Sequence, residues 1–464
     1  MKNIKILASV KDGKTFANAE YCYTGHEEKE SEMQLIQLYP DIKYQEMKGF
    51  GGAFTPSAAS VYAKMDESDK KRLRKLLFSE DGLAYTCGRI TIGACDFSEG
   101  NYSYCEEEDK TLDTFSIEHD EKEMLPMLKD AVGEYGEMEW MASPWSPPAW
   151  MKTNGEMCHG GNLREDCRQA MAEYIVKFIQ KYEEAGIFIG YITIQNEPHA
   201  IQTWESCIYT STQEMEFIRD YLSQVLKKAG KEDVKIIIWD HNKENVFNRT
   251  REICSNSVVE KEVAGIAFHW YSGDHFENLS LCNSFFPDKE LIFTEGCVEI
   301  ADAHTVISEK ANADGKPAQA AKSPWTFGEC YGHDMIGNLN HGANRLIDWN
   351  VLLNEQGGPN HVGNYCSAPI IYDENKKEIM IQPSFLFISH FSRFITNGSR
   401  RIALSRYTDK LQVTSWCTTE NKIVTVIMNE TQNDILFGLK DMENKERIDT
   451  VSKAHSIMTI LYDK

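Results

Sequence analysis

The 464-residue sequence lacks a long hydrophobic run, an excess of basic residues and any CxxC pair. No segment approaches the roughly 18 uninterrupted apolar residues of a membrane-spanning helix, so no membrane span is expected. Lys and Arg total 49 against 71 Asp and Glu, which gives a formal net charge of −22. A nucleic-acid backbone or an anionic membrane surface would repel such a chain, so neither is an expected partner. A neutral small molecule or polymer remains open.

The cysteines and the first residues predict a cytoplasmic protein. The 13 cysteines are odd in number and scattered, which is typical of reduced thiols, with a disulfide framework or a zinc site as the weaker alternative. The opening stretch MKNIKILASVKDGKTF lacks the continuous apolar region of a secretory signal. Cys158 and His159 have no partner at metal-ligand spacing, so we expect neither a metal nor a cofactor.

What the sequence does contain is a regular alternation of short apolar runs with amphipathic helical stretches. Hydrophobic residues make up 42% and aromatic residues 11%, which suits a packed globular protein with one large and one smaller domain. Strands that alternate with helices pair in parallel, and eight such units predict an α/β fold of the (β/α)8 TIM-barrel type. The eight predicted strands are 49–54, 86–93, 138–145, 190–197, 234–241, 263–271, 290–296 and 343–350.

The two ends of the chain differ from this middle part. After about Phe394 come short β-rich runs with turn residues and no helical period, which indicate an antiparallel β-sandwich. The N-terminal runs have the same composition, so we expect both ends to pair into one side domain. The predicted organisation is therefore residues 1–45 and 392–464 in the sandwich and 46–391 in the barrel.

Polar and aromatic side chains stand at the ends of nearly all the predicted strands. In a (β/α)8 barrel the active site lies at the carboxyl ends of the strands. One such residue would mean little, but polar or aromatic residues recur at the strand ends around the barrel. A purely structural rim would carry small apolar or turn residues there. The residues concerned are Arg89, Asp96, Asn196, Glu197, Trp239, Asp240, His241, His269, Trp270, Tyr271, Glu295, Asp348, Trp349 and Asn350.

Among the carboxylates in this set two stand out, Glu197 and Glu295, which are 98 positions apart. Three βα units of roughly 30 residues each cover that span, which places the pair on opposite sides of one barrel mouth. Glycoside hydrolysis needs two such carboxyl groups, one to protonate the leaving oxygen and one to act at the anomeric carbon. The alternative for Glu197 alone is an acidic residue that caps the next helix. Flat faces for a sugar ring are supplied by Trp145, Trp150, Tyr271 and Trp349.

A family resemblance rests on eight stretches that occur in order. They are KGFGGAFT, CGRITIGACDFS, ASPWSPPAWMKTNG, TIQNEPHA, IAFHWYSGDH, FTEGC, DWNVLLNEQGGPNHVGNYCSAPII and QPSFLFISHFSRFI. Together they resemble glycoside hydrolase family 30, the glucosylceramidase-like enzymes, over most of the chain from about Lys48. Asn-Glu-Pro recurs in several retaining barrel glycosidase families, whereas GFGGAFT combined with DWN and GGPN is specific.

The resemblance implies a barrel with a β-sandwich and a retaining reaction through a covalent glycosyl-enzyme intermediate. It assigns Glu197 as general acid/base, Glu295 as nucleophile, and Asn196 as the partner of the sugar 2-hydroxyl. It places Asp96, Trp145, Trp349 and Asn364 in the sugar-binding subsite. Arg89 and Tyr271 would keep Glu295 ionised, while Glu197 must be protonated in the resting enzyme.

Several of these residues also have a structural interpretation. Arg89 could be an ion-pair partner inside the barrel, His269 a satisfied core histidine, and Asp240 with its neighbours a support for the acid/base. The GxGG of Gly49 to Gly52 lacks a following GK[ST], so tight packing explains it better than a nucleotide loop.

Two loops leave further alternatives open. Trp204 and Glu205 could form the leaving-group side of the pocket or could pack their loop onto the barrel. Pro56 departs from the acid that often follows GGAFT in the family, so a subsite contact is in doubt.

The sequence predicts a carbohydrate substrate and a retaining, exo-acting β-glycosidase, in the first place a β-glucosidase or glucosylceramidase-like enzyme. Within the same family the alternatives are a β-xylosidase, β-fucosidase, β-1,6-glucanase or β-1,6-galactanase. From a different class, the chain could be a non-catalytic carbohydrate-binding protein on the same fold. The presence of both carboxylates counts against that class, because a binding protein has no use for a matched acid and nucleophile.

Overall fold

The computed structural model describes residues 1–25, 34–136, 138–300 and 324–464. Within these ranges the strands form a closed eight-stranded barrel, a ten-stranded sheet and a three-stranded sheet. In chain order the strands are β1 (Lys2–Val10), β2 (Ala17–Asn18), β3 (Tyr21–Gly25), β4 (Leu35–Glu46), β5 (Gly49–Phe54), β6 (Cys87–Ile92), β7 (Glu139–Pro144), β8 (Ile189–Thr193), β9 (Lys235–Asn242), β10 (Val263–His269), β11 (Glu290–Glu295), β12 (Arg345–Asp348), β13 (Leu353–Asn354), β14 (Ile370–Asp373), β15 (Glu378–Ile381), β16 (Arg400–Arg406), β17 (Gln412–Cys417), β18 (Lys422–Asn429), β19 (Ile435–Asp441), β20 (Arg447–Ser452) and β21 (Ser456–Asp463).

The α-helices lie mainly between the barrel strands. They are α1 (Pro56–Ala63), α2 (Glu67–Phe78), α3 (Glu118–Glu121), α4 (Met124–Tyr135), α5 (Arg168–Glu184), α6 (Ser211–Phe217), α7 (Ser223–Lys228), α8 (Val246–Ile253), α9 (Ser257–Glu262), α10 (Phe276–Phe285), α11 (Trp325–Asn340) and α12 (Pro383–Ser392). Every helix in the described ranges falls short of the length and apolarity that crossing a bilayer requires.

The barrel confirms the predicted fold. Strands β5 to β12 pair in parallel in sequence order, and β12 closes the barrel against β5. A layer of buried side chains from the barrel strands fills the interior: Cys87, Met141, Tyr191, Ile237, Ala267, Ile292 and Ile347. The barrel is therefore a packed core, and space for a ligand is left only beyond the ends of the strands.

The side domain joins the two ends of the chain, as predicted. In the ten-stranded sheet β1 pairs with β21, β4 lies between β16 and β19, and β3 pairs with β20. Helix α12 connects this sheet to the barrel through the buried His390. Its ring nitrogens lie 2.9 Å from Ser9 Oγ and 2.8 Å from Thr459 Oγ1. Burial lowers the pKa of His390 to about 3, so this imidazole is neutral.

Strand β8 ends earlier than the sequence indicated. It stops at Thr193, four residues before Glu197, so the prediction that Glu197 ends the strand is wrong. Beyond Thr193 the loop stays attached to the two flanking strands, because Asn196 N–H donates to Pro144 O of β7 at 2.8 Å and Glu197 N–H to Asp240 O of β9 at 2.9 Å. Glu197 takes a φ of +48° in this turn.

The helix that follows this loop, α6, begins at Ser211, fourteen residues after Glu197. Thr210 is the N-cap, because its hydroxyl accepts from the Gln213 amide while the Gln213 side chain accepts from the Thr210 amide. This reciprocal pair forms a capping box. Glu197 therefore caps no helix.

The glycines of β5 serve close packing, as predicted. A Cβ atom on Gly51 would lie 2.1 Å from the carbonyl oxygen of Cys87 in β6, and one on Gly52 would lie 2.6 Å from a methyl group of Val351. Strands β5 and β6 can approach this closely only because these positions carry no side chain.

Gly51→Ala is expected to destabilise the protein by about 1–3 kcal/mol, because the new methyl group cannot fit against a backbone carbonyl without moving a strand. The matched control is Gly133→Ala in α4, where a Cβ atom meets nothing within 4 Å. That change should stabilise the helix by roughly 0.5–1 kcal/mol. Denaturant unfolding measures the change in the free energy of unfolding for both variants. Equal stability of Gly51→Ala and the wild type would contradict the packing account.

Candidate active site

A cavity of about 150 Å³ opens beyond the carboxyl ends of the barrel strands. All eight residues predicted to be catalytic or substrate-binding line it: Asp96, Trp145, Asn196, Glu197, Tyr271, Glu295, Trp349 and Asn364. The two supporting residues, Arg89 and His269, lie fully buried directly behind this lining. The structure thus brings together the whole set that the sequence singled out for one site.

Arg89 projects from β6 into the centre of the barrel mouth. Its Nη1 donates to Glu295 Oε2 at 2.7 Å, and its Nη2 donates to Asn196 Oδ1 and to Asp240 Oδ2, both at 2.8 Å. The guanidinium also lies 4.7 Å from the ring centre of Trp145. Arg89 is therefore a buried ion-pair partner, and two of the groups it binds, Glu295 and Asn196, face the cavity.

Glu295 ends β11 with its carboxyl group against two donors. Besides Arg89, the hydroxyl of Tyr271 donates to Oε1 at 3.0 Å. Burial raises the pKa of Glu295, whereas the charges of His269 and Arg89 act in the opposite direction. Burial also keeps the pKa of Tyr271 well above its ordinary value, so the phenol stays a donor. Both hydrogen bonds favour the carboxylate form of Glu295.

Glu197 lies in the loop after β8 and faces two histidines. Its Oε1 is 3.1 Å from His269 Nδ1 and 3.5 Å from His241 Nδ1, and its Oε2 accepts from Gln202 Nε2 at 3.5 Å. Burial opposes ionisation, but the hydrogen bond from His269 and the proximity of the two imidazoles outweigh it and lower the pKa of Glu197. In the free site the carboxyl group of Glu197 is therefore ionised.

His269 links Glu197 to Asp240. Its Nε2 lies 3.1 Å from Asp240 Oδ1 while its Nδ1 faces Glu197. Burial disfavours a charged imidazole, but the charge of Glu295 and the hydrogen bonds to Asp240 and Glu197 prevail and raise the pKa of His269 to about 9. Glu197 and His269 thus share one proton, which lies on the imidazole in the free site. His269 is more than a satisfied core histidine.

Asp240 is turned inward by irregular backbone at the end of β9. Trp239 pairs with Ala267 and His241 with Phe268, which leaves Asp240 as the extra residue of a β-bulge. Trp239 and Asp240 take φ values of +74° and +56°, and such strain is typical of functional sites.

Hydroxyl groups at two strand ends complete the surroundings of Asp240. Thr193 and Thr294 donate to its two oxygens, each at 2.7 Å, and Thr294 is itself the extra residue where β11 leaves register with β10. Burial disfavours the charge of Asp240, but Arg89 and His269 outweigh it and lower the pKa of the carboxyl group.

Aromatic and amide side chains form the rest of the wall. Trp145 and Trp349 stack with ring centres 5.2 Å apart, and Asn364 Nδ2 donates to Asp96 Oδ2 at 3.3 Å. Burial, with the charges of Glu295 and Glu205, raises the pKa of Asp96 well above its ordinary value. A protonated Asp96 can donate as well as accept.

Three sequence expectations are corrected or refined on this wall. Trp150 packs against the barrel core and lies outside the cavity lining, so its assignment as a sugar platform is wrong. Trp204 lines the cavity, whereas Glu205 is buried behind it with His361 Nε2 at 3.6 Å. Pro56 is the first residue of α1, capped by Thr55, and lies outside the cavity.

Sequence reasoning missed several other lining residues, namely Gln202, Asn242, Cys297, Glu299 and Cys366. A signal for some of them was present, because Cys297 and Glu299 follow Glu295 at alternate positions and Cys366 follows Asn364 in the same way. The buried hydroxyl groups of Ser143, Thr193 and Thr294, all near strand ends, were a second signal for the polar network behind the cavity.

Comparisons with known proteins agree with this architecture. A family model described as the glycosyl hydrolase family 30 TIM-barrel domain matches residues 47–395, and one described as the glycosyl hydrolase family 30 beta sandwich domain matches residues 398–460.

Relatives match over most of the chain. Lysosomal acid glucosylceramidase of Mus musculus is 31% identical over 444 residues, which cover 92% of this chain and 83% of the relative. Endo-1,6-beta-D-glucanase of Neurospora crassa is 25% identical over 373 residues, which cover 78% of this chain and 72% of the relative. The crystal structure of SrfJ from Salmonella typhimurium superposes with a TM-score of 0.92 at 33% identity, covering 99% of this chain and 100% of SrfJ. The chain therefore belongs to glycosyl hydrolase family 30 and is a glycoside hydrolase.

Proposed function

We propose that this glycoside hydrolase is a retaining, exo-acting β-glycosidase that cleaves β-D-glucosides, with Glu295 as nucleophile and Glu197 as general acid/base. The observation that carries the proposal is a pair of largely buried carboxyl groups on one small cavity, held in different ways. Glu295 accepts from two donors, Arg89 and Tyr271, whereas Glu197 faces the ring nitrogen of His269 at 3.1 Å.

Each carboxyl group has one role in each of two steps. In the first, Glu295 attacks the anomeric carbon and forms an ester while Glu197 protonates the departing oxygen. In the second, Glu197 takes a proton from water, which attacks the same carbon and releases Glu295. Two inversions give net retention. Arg89 keeps a partner throughout, because Asp240 stays ionised when Glu295 loses its charge in the ester.

The proton for the first step is available next to Glu197. It lies on His269 in the free site, and transfer along the 3.1 Å contact from Nδ1 to Oε1 protonates Glu197. The imidazole that remains is neutral and keeps its Nε2–H directed at Asp240. Asp240 therefore holds His269 in the tautomer that lets Glu197 act as an acid.

The cavity lining supports recognition of a single sugar ring. Because Arg89 can only donate, it holds Asn196 by its carboxamide oxygen and leaves the amide nitrogen to donate to a sugar hydroxyl. Asp96 and Asn364 offer further polar contacts beside the stacked Trp145. A volume of about 150 Å³ is below the roughly 300–1,000 Å³ of sites for larger ligands, which favours removal of one terminal sugar.

The names of the relatives differ in the aglycone and in the linkage that is cleaved, so both are part of what we propose for this chain. One relative is named for glucosylceramide and another for an internal β-1,6-glucan linkage. The small cavity favours the first type of action, release of a terminal glucose. A glucosylceramide and a β-1,6-glucan therefore belong in the substrate panel beside simple aryl glycosides.

Nitrophenyl β-glycosides of glucose, xylose, fucose and galactose test activity and sugar preference together. We expect the glucoside to be hydrolysed fastest, and glucosylceramide to be cleaved in preference to internal bonds of the glucan. Glu295→Ala should lower the rate at least about 10³-fold, because the nucleophile is lost. Hydrolysis of the glucoside at wild-type rate by Glu295→Ala would end the assignment, and faster release of another sugar would reassign the substrate.

His269→Gln is expected to shift the alkaline limb of kcat/KM to lower pH on an alkyl glucoside, whose leaving group needs a proton. In the wild type the shared proton is held until pH rises through the pKa of His269 at about 9. Without the imidazole only the carboxyl group of Glu197 holds it, and a carboxyl group releases its proton at lower pH.

A dinitrophenyl glucoside is the control for this shift, because its leaving group departs without protonation. On that substrate His269→Gln and Glu197→Ala should both retain most of the rate of the first step. An unchanged alkaline limb in His269→Gln on the alkyl glucoside would contradict the shared proton.

A further inference from the structure

We propose that Glu197, His241 and His269 form a binding site for a divalent cation of the Zn²⁺ type, and that the bound ion inhibits the enzyme. The ion would occupy the oxygen from which Glu197 delivers its proton. The inhibition rests on the proposed role of Glu197, whereas the binding rests on the geometry of the three side chains alone.

The three side chains lie close enough together to bind one ion. Each offers one ligand atom, and these atoms lie within 4.8 Å of one another. Glu197 Oε1 is 3.1 Å from His269 Nδ1 and 3.5 Å from His241 Nδ1. Zinc bonds of about 2.0–2.1 Å in a tetrahedron separate two ligands by about 3.3–3.4 Å, so the two distances bracket the ideal value. A water molecule from the cavity would be the fourth ligand.

The orientation of His269 is the one that metal sites require. Its Nε2 faces the carboxylate of Asp240 at 3.1 Å, which fixes the proton of the neutral ring on that nitrogen. The lone pair of Nδ1 is then directed at Glu197. A carboxylate that holds the far nitrogen of a ligating histidine is a common support of zinc sites.

His241 supplies an independent observation. The residue is only 9% exposed, and its Nδ1 is buried without a hydrogen-bond partner, although Glu197 Oε1 is 3.5 Å away. A buried nitrogen without a partner costs free energy, and a cation between it and Glu197 would satisfy it. The ring lies 5.1 Å from that of Trp239, which holds it in place.

Charge and ligand type identify the class of ion. The carboxylate of Asp240 lies 3.1 Å from His269, and its negative charge favours a cation at the three ligands. Two imidazole nitrogens and one carboxylate oxygen suit Zn²⁺, Cu²⁺ or Ni²⁺, whereas Mg²⁺ and Ca²⁺ take oxygen ligands. The ion would occupy Glu197 Oε1, the oxygen that has to carry the proton, and the first step would lose its acid.

Direct binding tests the site without reference to catalysis. Zn²⁺ is titrated into the full chain against a chromophoric chelator, and Co²⁺ is added as a spectroscopic probe. We expect one ion per chain, at least tenfold weaker binding in His241→Asn and in Glu197→Gln, and binding within threefold of wild type in Glu295→Gln. Zn²⁺ should also raise the melting temperature of the wild type more than that of His241→Asn.

The cysteines provide the control for a different site. Cys297 and Cys366 line the same cavity with their Sγ atoms 2.9 Å apart, so they are the competing ligands for Zn²⁺. The Cys297→Ser, Cys366→Ser double variant should bind as the wild type does. A thiolate-to-cobalt charge-transfer band, loss of binding in the double variant, or equal affinity of His241→Asn and wild type would overturn the proposed site.

Inhibition is measured separately on an alkyl glucoside. Half-inhibition of the wild type should occur at the Zn²⁺ concentration that half-fills the site, and a chelator should reverse it. His241→Asn, compared with its own rate without zinc, should need at least tenfold more Zn²⁺. Full occupancy of the site without loss of rate would overturn the inhibition. Absence of any hydrolysis would instead contradict the proposed function and leave the binding result standing.

Discussion

A single buried cation organises the mouth of this barrel. Arg89 is fully enclosed, and a guanidinium in that position must be compensated by charges and hydrogen-bond acceptors around it. The compensation comes from Glu295, Asn196 and Asp240, two of which also face the cavity. Removing one carboxylate would leave Arg89 short of a partner, so the contacts that stabilise the buried charge are the same contacts that position the reacting groups.

A continuous series of side-chain contacts through Arg89 joins the two catalytic carboxyl groups. Glu295 binds Arg89, Arg89 binds Asp240, Asp240 binds His269, and His269 binds Glu197. The series gives the two ends different chemistry, because one end is held by a permanent cation and the other by a group that gains and loses a proton. Two β-bulges, at Asp240 and at Thr294, turn the side chains in the middle of this series of contacts inward. The proposed metal site includes the two residues at the other end of the series, His269 and Glu197.

The sequence predicted the eight barrel strands and the paired termini from local pattern and composition, and the resemblance to the family added subsite residues such as Asn364. It could not predict how far Glu197 lies beyond β8, since that depends on where Asn196 and Glu197 donate across neighbouring strands. The inward turn of Asp240 arises from register between β9 and β10, which local pattern does not record. Trp150 was misplaced for a related reason, because an aromatic residue near a strand end suits the core as well as a sugar.

The account requires a covalent bond between the sugar and Glu295, and that bond can be observed directly. In a 2-deoxy-2-fluoro-β-glucoside the fluorine slows both steps, whereas an activated leaving group speeds only the first step. The covalent intermediate therefore accumulates. Mass spectrometry of the intact protein should then show one added fluoroglucosyl group, and peptide mapping should place it on Glu295. An active enzyme that acquires no adduct, or carries it on another residue such as Glu197, would contradict the account.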